Sequence, residues 1–233
     1  MFPIWDDQVK WWYIPIFTWL IIAINVIVFI YQLWLSDAWL DVFFTTYSTI
    51  PVKIMSWEQR YSLITSMFLH GWWMHIIGNM LFLYVFGDNI EARMGNIRFL
   101  IFYLLSGLVG SFAHVLTDTT SIVPSLWASW AISWVLWAYL VMFPGSRVKM
   151  RDPRLAGTYY VSASQFLLYW IVIQLFSGFG SLAMTWWWGG WWTAWFAHIW
   201  WFAVGWIRGL MNKQRYWLEW QQLLDSHRSP LVQ

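Results

Sequence analysis

The 233-residue chain contains no cysteine, and only 10% of its residues carry a charge. The missing thiols exclude a disulfide framework, a thiolate metal site and a cysteine nucleophile. The scarcity of charge excludes an ordinary soluble domain, in which about a quarter of residues are charged. Seven prolines and 14 glycines set among long apolar runs exclude a disordered or collagen-like chain. A net charge of +2 provides no basic field for nucleic acid. What the chain does have is apolar side chain, at 60% of its residues. It reads as an integral, multi-pass membrane protein whose main partner is the lipid bilayer.

Charge-free stretches locate the spans, because a bilayer-crossing helix needs about 20 mostly apolar residues. They run over residues 11–36, 61–87, 99–117, 119–146 and 155–207. The last is interrupted near residues 177–190 by a Gly-containing stretch, so it divides into two helices and a hairpin. The expected fold is therefore an all-α membrane protein, a six-transmembrane-helix bundle over residues 1–212 followed by a short polar tail, 213–233. Charged residues follow the first span where a cleaved signal would have small residues, so the span reads as an anchor. The first loop, residues 37–60, is long enough to fold against the membrane.

Lys and Arg placement sets the orientation. With the N-terminus cytoplasmic, Lys10, Arg93, Arg98, Arg147, Lys149, Arg151, Arg154, Arg208, Lys213, Arg215 and Arg228 all lie inside, and only Lys53 and Arg60 lie outside. Both termini are then cytoplasmic, in what reads as a bacterial cell membrane. Spans two, four and six run from outside to inside and form the expected inner set.

Ionisable and polar residues at membrane depth are costly and mark candidate sites. His70, His75, His114 and His198 all fall in spans. His75 and Asn79 are four apart, hence on one helix face. Ser129 lies near the outer end of span four and His198 about two turns inside span six, so these groups sit roughly 5–15 Å below the outer surface. They are the parts of acyl-transfer chemistry. A serine hydroxyl is a weak nucleophile until an imidazole takes its proton, and the resulting oxyanion needs donors aimed at it. No membrane Asp or Glu is available as a third member, which leaves a Ser–His dyad. The blander readings are a Ser acting as helix–helix glue and His residues acting as structural donors or proton relays. A metal site is disfavoured because His70 and His75, read on one helix, are offset by more than a quarter turn; no metal or cofactor is expected. Asp118 and His114 read as a loop-edge pair outside this set. A transporter is disfavoured by the lack of an inverted repeat or a charged midplane pair.

The motifs narrow the choice. His70-Gly-Trp-Trp-Met-His75-Ile-Ile-Gly-Asn79-Met80 resembles the second-span signature of rhomboid intramembrane serine proteases. Gly87 to Gly95, with Glu91 between them, resembles the GxxxExxxG pattern of the following cytoplasmic turn. Ala128-Ser129, Ser133 and Ala138-Tyr139 resemble the helix that carries the nucleophile, and Ala197-His198-Ile199 through Gly205 resembles the sixth span. The resemblance covers nearly the whole chain. It implies catalysis by Ser129 and His198, an oxyanion site served by His75 and Asn79, a supporting His70, and transmembrane proteins as substrates cut near the outer leaflet. It also implies a laterally moving span five (about residues 162–176) and a cap made by the 177–190 hairpin. Substrate identity and oligomeric state are not written in the residues.

The departures from the family pattern share one form. The nucleophile motif should read Gly-x-Ser-Gly, and here it reads Trp127-Ala128-Ser129-Trp130. Trp72, Trp134, Trp137, Trp200 and Trp201 also stand where the family has Gly. With 25 tryptophans against 14 glycines, the expectation is that many are glycines encoded by UGA in a genetic code that reads it so. Indoles between spans four and six would hold Ser129 and His198 apart. If the tryptophans are genuine, the alternative is a catalytically inactive rhomboid-like protein that binds membrane clients.

Overall fold

The computed structural model describes residues 2–8, 13–126, 128–152 and 157–170. Its elements in chain order are β1 (Phe2–Asp6), α1 (Ile16–Trp34), α2 (Asp37–Tyr47), α3 (Pro51–Met55), α4 (Ser62–Thr65), α5 (Trp73–Met94), α6 (Asn96–Thr117), α7 (Ala128–Met142), β2 (Arg147–Arg151) and β3 (Thr158–Ser162). A 3-10 turn, Ser66–Phe68, follows α4, and residues 163–170 are helical.

The long helices are built inside out relative to a soluble protein. On α1 the buried positions are Thr18, Ile21, Asn25, Phe29 and Gln32, a helical stripe that includes three polar residues. Its outer face exposes Trp19, Ile27, Ile30, Leu33 and Trp34. An apolar exterior with polar residues turned inward is what a lipid surrounding selects. Among the described residues, α1 and α6 are long and apolar enough to cross a membrane. The helices α1, α5, α6 and α7 pack on one another around a core that includes Leu83, Phe86, Ile90, Phe99, Tyr103, Val135 and Tyr139.

Residues 87–95 are the last turns of α5 rather than a separate turn, and three of them explain the motif. The Glu91 carboxylate accepts the backbone N–H groups of Phe17 (2.9 Å) and Thr18 (2.8 Å) and the Thr18 hydroxyl (2.8 Å). It thereby caps the N-terminus of α1, whose first N–H groups have no intrahelical acceptor, and its charge complements the helix dipole. A Cβ on Gly87 would come within 3.2 Å of the Thr18 side chain, so glycine permits the α1–α5 approach that lets Glu91 reach. Gly95 ends α5 at φ +85°, a conformation that favours glycine. Replacing Glu91 by Ala leaves these buried donors without their acceptor, at about 1 kcal/mol or more each. We expect a loss of about 3 kcal/mol, seen as a lower unfolding midpoint in detergent, with Glu91→Gln recovering part; an unchanged midpoint in Glu91→Ala contradicts this.

The structure corrects the all-α expectation. A three-stranded antiparallel sheet, in the order β1-β2-β3, pairs Asp6 with Val148 and Lys149 with Tyr160. Val148 and Met150 point into the core while Arg147 and Arg151 point away, the period-2 alternation of a half-buried strand. Residues 147–151 thus form a strand where charge alone suggested a loop. Span five, expected from residue 155, is strand at Thr158–Ser162 and becomes helical only from 163. Span two, expected from residue 61, is broken: its long helix starts at Trp73. Span four, expected from residue 119, likewise starts at Ala128.

The sheet is fastened to the bundle by Asp6, which is fully buried. Its carboxylate accepts from Gln8 N (3.1 Å), Asn89 Nδ2 (2.9 Å) and the Tyr139 hydroxyl. Burial raises the pKa of Asp6 despite those lowering hydrogen bonds. Since the folded value lies above the unfolded one, the stability this group contributes is complete below the ordinary carboxylate pKa and is lost as pH rises through the folded value.

Candidate active site

Asp6 also fixes the relation of the two central helices. Asn89 of α5 and Tyr139 of α7 both reach it, and Phe86 meets Tyr139 edge to face with ring centroids 4.8 Å apart. The C-terminal parts of α5 and α7 therefore lie together, and the helices run parallel. His75 precedes Phe86 by 11 residues and Ser129 precedes Tyr139 by 10. Counted back from that contact, His75 and Ser129 both fall in the first turns of their helices.

Ser129 is half-buried in the first turn of α7, and its backbone carbonyl accepts the Ser133 hydroxyl at 2.8 Å. The segment leading to it is held in place. Thr49 and Ser125 exchange two backbone hydrogen bonds, of 3.1 and 3.0 Å. The Ser125 hydroxyl also lies 3.3 Å from His114 Nε2. His114 thus braces the approach to Ser129 and also feels the charge of Asp118, the partner read from sequence, while Asp118 Oδ1 accepts from Thr120 N and Oγ1. Leu126 packs beside Gly71, where a Cβ would lie 3.7 Å from its Cδ1. The His70–Gly71 loop and the residues just before Ser129 are neighbours.

His70 is not on a helix. It sits fully buried in the loop before α5, and its Nε2 lies 3.0 Å from Asn79 Nδ2. An amide nitrogen only donates, so Nε2 accepts and the His70 proton sits on Nδ1. That leaves the second N–H of Asn79 for another acceptor. His75, in the first turn of α5, packs between His70 and Trp72, with ring centroids 4.9 and 4.8 Å away. The offset inferred for the two histidines on one helix does not apply, because the backbone turns between them. His75 Nδ1 is buried with no hydrogen-bond partner among the described residues. His75 and Asn79 are the kind of donors an oxyanion requires.

Sequence reasoning missed Gln32. Its Nε2 donates to the His70 carbonyl at 2.8 Å, and its Oε1 accepts the His70 N–H at 3.3 Å. The signal was available as one of two primary amides, with Asn25, in a mostly apolar span.

Two of the tryptophans pack against the third expected span. Trp130 is 1% exposed and packs on Gly110 of α6, where a Cβ would lie 2.5 Å from its Cε3. Trp134, one turn on, meets Phe102 of α6 edge to face at 6.5 Å. Residues four apart share a face, and on α7 that face meets α6, which is the third expected span. Trp127, His198, Trp200, Trp201, the 177–190 hairpin and the 213–233 tail lie outside the described residues, as does the expected contact of span six with spans two and four.

Fold and site together define a helical membrane protein with a serine, two histidines and an asparagine gathered toward one end of its central helices. The Rhomboid domain family model matches residues 57–215, more than half of the chain, and the chain belongs to the rhomboid family. It is 37% identical over 88 residues to RHOMBOID-like protein 5 of Arabidopsis thaliana, covering 38% of this chain and 28% of that protein. It is 35% identical over 88 residues to RHOMBOID-like protein 6, mitochondrial, of the same plant, again covering 38% and 28%. Over 80 residues it is 32% identical to YdcA of Bacillus subtilis (strain 168), named as a candidate rhomboid protease, covering 34% of this chain and 40% of that protein. The matched stretch therefore spans well under half of each relative's length.

Proposed function

We propose that the chain is an intramembrane serine endopeptidase that cleaves transmembrane proteins near the outer leaflet. The observation that supports this reading is the packing of α5 against α7, which carry His75 and Ser129 in their first turns, with the His70–Gly71 loop beside the segment leading to Ser129. In the proposed reaction Ser129 Oγ gives its proton to His198 and attacks the scissile carbonyl. His75, the second N–H of Asn79 and the Ser129 backbone N–H stabilise the oxyanion. His198 then returns the proton to the departing amine, and water admitted from outside hydrolyses the acyl-enzyme. No metal or cofactor takes part. Six spans, both termini in the cytoplasm and a polar tail from residue 213 belong to the same reading.

A membrane-spanning substrate has to enter sideways. Phe82 of α5 stacks with Phe166 (centroids 5.9 Å) and meets Trp170 (5.6 Å), closing the seam between α5 and the start of span five. The chain has no native cysteine, so Phe82→Cys and Trp170→Cys can be joined by a short bis-maleimide. Made in the chain with glycine in place of Trp127, Trp130, Trp134, Trp137, Trp200 and Trp201, the cross-linked protein should fail to cleave a membrane-spanning reporter while still cleaving a short soluble peptide. Undiminished reporter cleavage after a verified cross-link would place entry elsewhere.

The second reading is an inactive rhomboid-like protein that binds membrane clients. It is favoured by the buried indole of Trp130, which fills the α6–α7 seam beside the nucleophile. Cleavage of a reporter by the purified, reconstituted chain carrying glycine in place of Trp127, Trp130, Trp134, Trp137, Trp200 and Trp201 separates the two.

A further inference from the structure

We propose that Gln32 is a positioning residue for the oxyanion site, acting through His70 on the amide of Asn79. The inference rests on the serine-protease reading. Gln32 lies in the last turn of α1 and is 4% exposed. A primary amide in an apolar span carries a desolvation penalty unless both of its ends are paired. Here both ends go to the backbone of one residue: Nε2 to the His70 carbonyl and Oε1 to the His70 N–H.

That pairing has two consequences. It satisfies a carbonyl and an N–H in a stretch of chain between the 3-10 turn and α5 that makes no helical hydrogen bonds of its own. It also fixes the backbone of the residue whose ring meets Asn79, at 3.0 Å between Nε2 and Nδ2. A fixed His70 acceptor holds one N–H of Asn79 and thereby aims the other. Neither His70 nor Gln32 needs to touch substrate. Their effect is to keep the Asn79 amide from rotating its carbonyl oxygen toward the developing negative charge, where it would repel.

A role limited to holding the loop together would look different from a role exerted through Asn79. Gln32→Met keeps the side-chain volume and removes both hydrogen bonds. Gln32→Glu keeps the acceptor for the His70 N–H and removes the donor. Both are measured against a membrane-spanning reporter in the reconstituted full-length chain carrying glycine in place of Trp127, Trp130, Trp134, Trp137, Trp200 and Trp201. Gln32→Met should lower kcat by about 10- to 100-fold, somewhat less than loss of a donor itself, with KM within about twofold, and Gln32→Glu should fall between it and the parent. In an Asn79→Ala background, Gln32→Met should cost nothing further, because its effect runs through the missing amide. An equal loss in both backgrounds, a change in KM alone, or no loss of kcat would overturn the proposal.

A readout independent of turnover is nitrogen NMR of histidine-labelled protein. It should find His70 with its proton on Nδ1 in the parent chain and a mixture of tautomers in Gln32→Met; an unchanged tautomer overturns the proposal even if neither protein cleaves. Activity that survives Ser129→Ala would instead sink the protease reading, so the two failures are distinguishable.

Discussion

In the chain carrying glycine in place of Trp127, Trp130, Trp134, Trp137, Trp200 and Trp201, replacing Ser129 by Ala is expected to lower cleavage of a membrane-spanning reporter by about 10⁴-fold or more, and His198→Ala by a similar factor. In serine hydrolases the nucleophile and its base act as a unit, so losing either costs nearly as much as losing both. The double variant should therefore be no slower than the singles. Asn79→Ala should cost less, about 10²–10³-fold, because it removes one oxyanion donor and leaves the nucleophile intact. KM should change little in any of these, since the lost interactions are made in the transition state. Cleavage that persists in Ser129→Ala would mean another nucleophile. Chelators should leave the rate unchanged.

The tryptophans carry the second large effect. Trp130 is buried against Gly110 and Trp134 packs against Phe102, so the indoles fill the seam between α7 and α6 next to the turn that bears Ser129. Emptying a well-packed indole site normally costs about 3–5 kcal/mol. If these positions are glycine in the working protein, the reverse holds. Gly at 130 would face Gly110 and let the two helices close, as small residues do in membranes. We expect the chain carrying Trp127→Gly, Trp130→Gly, Trp134→Gly, Trp137→Gly, Trp200→Gly and Trp201→Gly to cleave the reporter and the tryptophan-bearing chain not to. Source DNA should read TGA at these codons. TGG at Trp127 and Trp130 would refute the recoding account and make the client-binding protein the better function.

Apolarity and charge spacing disclose some of these elements and hide others. Spans one and three were legible because each is a charge-free run ending at charges, and α1 and α6 match those runs to within a few residues. The entry to span two was not. Residues 61–72 are as apolar as a helix, and apolarity does not separate helix from the irregular backbone that carries His70. Arg147-Val-Lys-Met-Arg151 alternates with period 2, a strand signal masked by its charges, which suggested a cytoplasmic loop. The pairing of His75 with Asn79 follows from a spacing of four. The tautomer of His70 does not, because it depends on which end of the Asn79 amide meets the ring, and His70 lies on irregular backbone ahead of the helix. The direction of Trp130 was equally hidden. Most of α7 is apolar, with no polar stripe to say which face meets which neighbour.

The most direct measurement of the central claim is the site of covalent modification by a fluorophosphonate, a reagent that phosphonylates activated serines. The reconstituted glycine-restored chain would be treated, digested and mapped by mass spectrometry. We predict an adduct on Ser129, formed in step with loss of cleavage and absent in His198→Ala. An adduct confined to another serine, or full inactivation with Ser129 unmodified, would contradict the assignment.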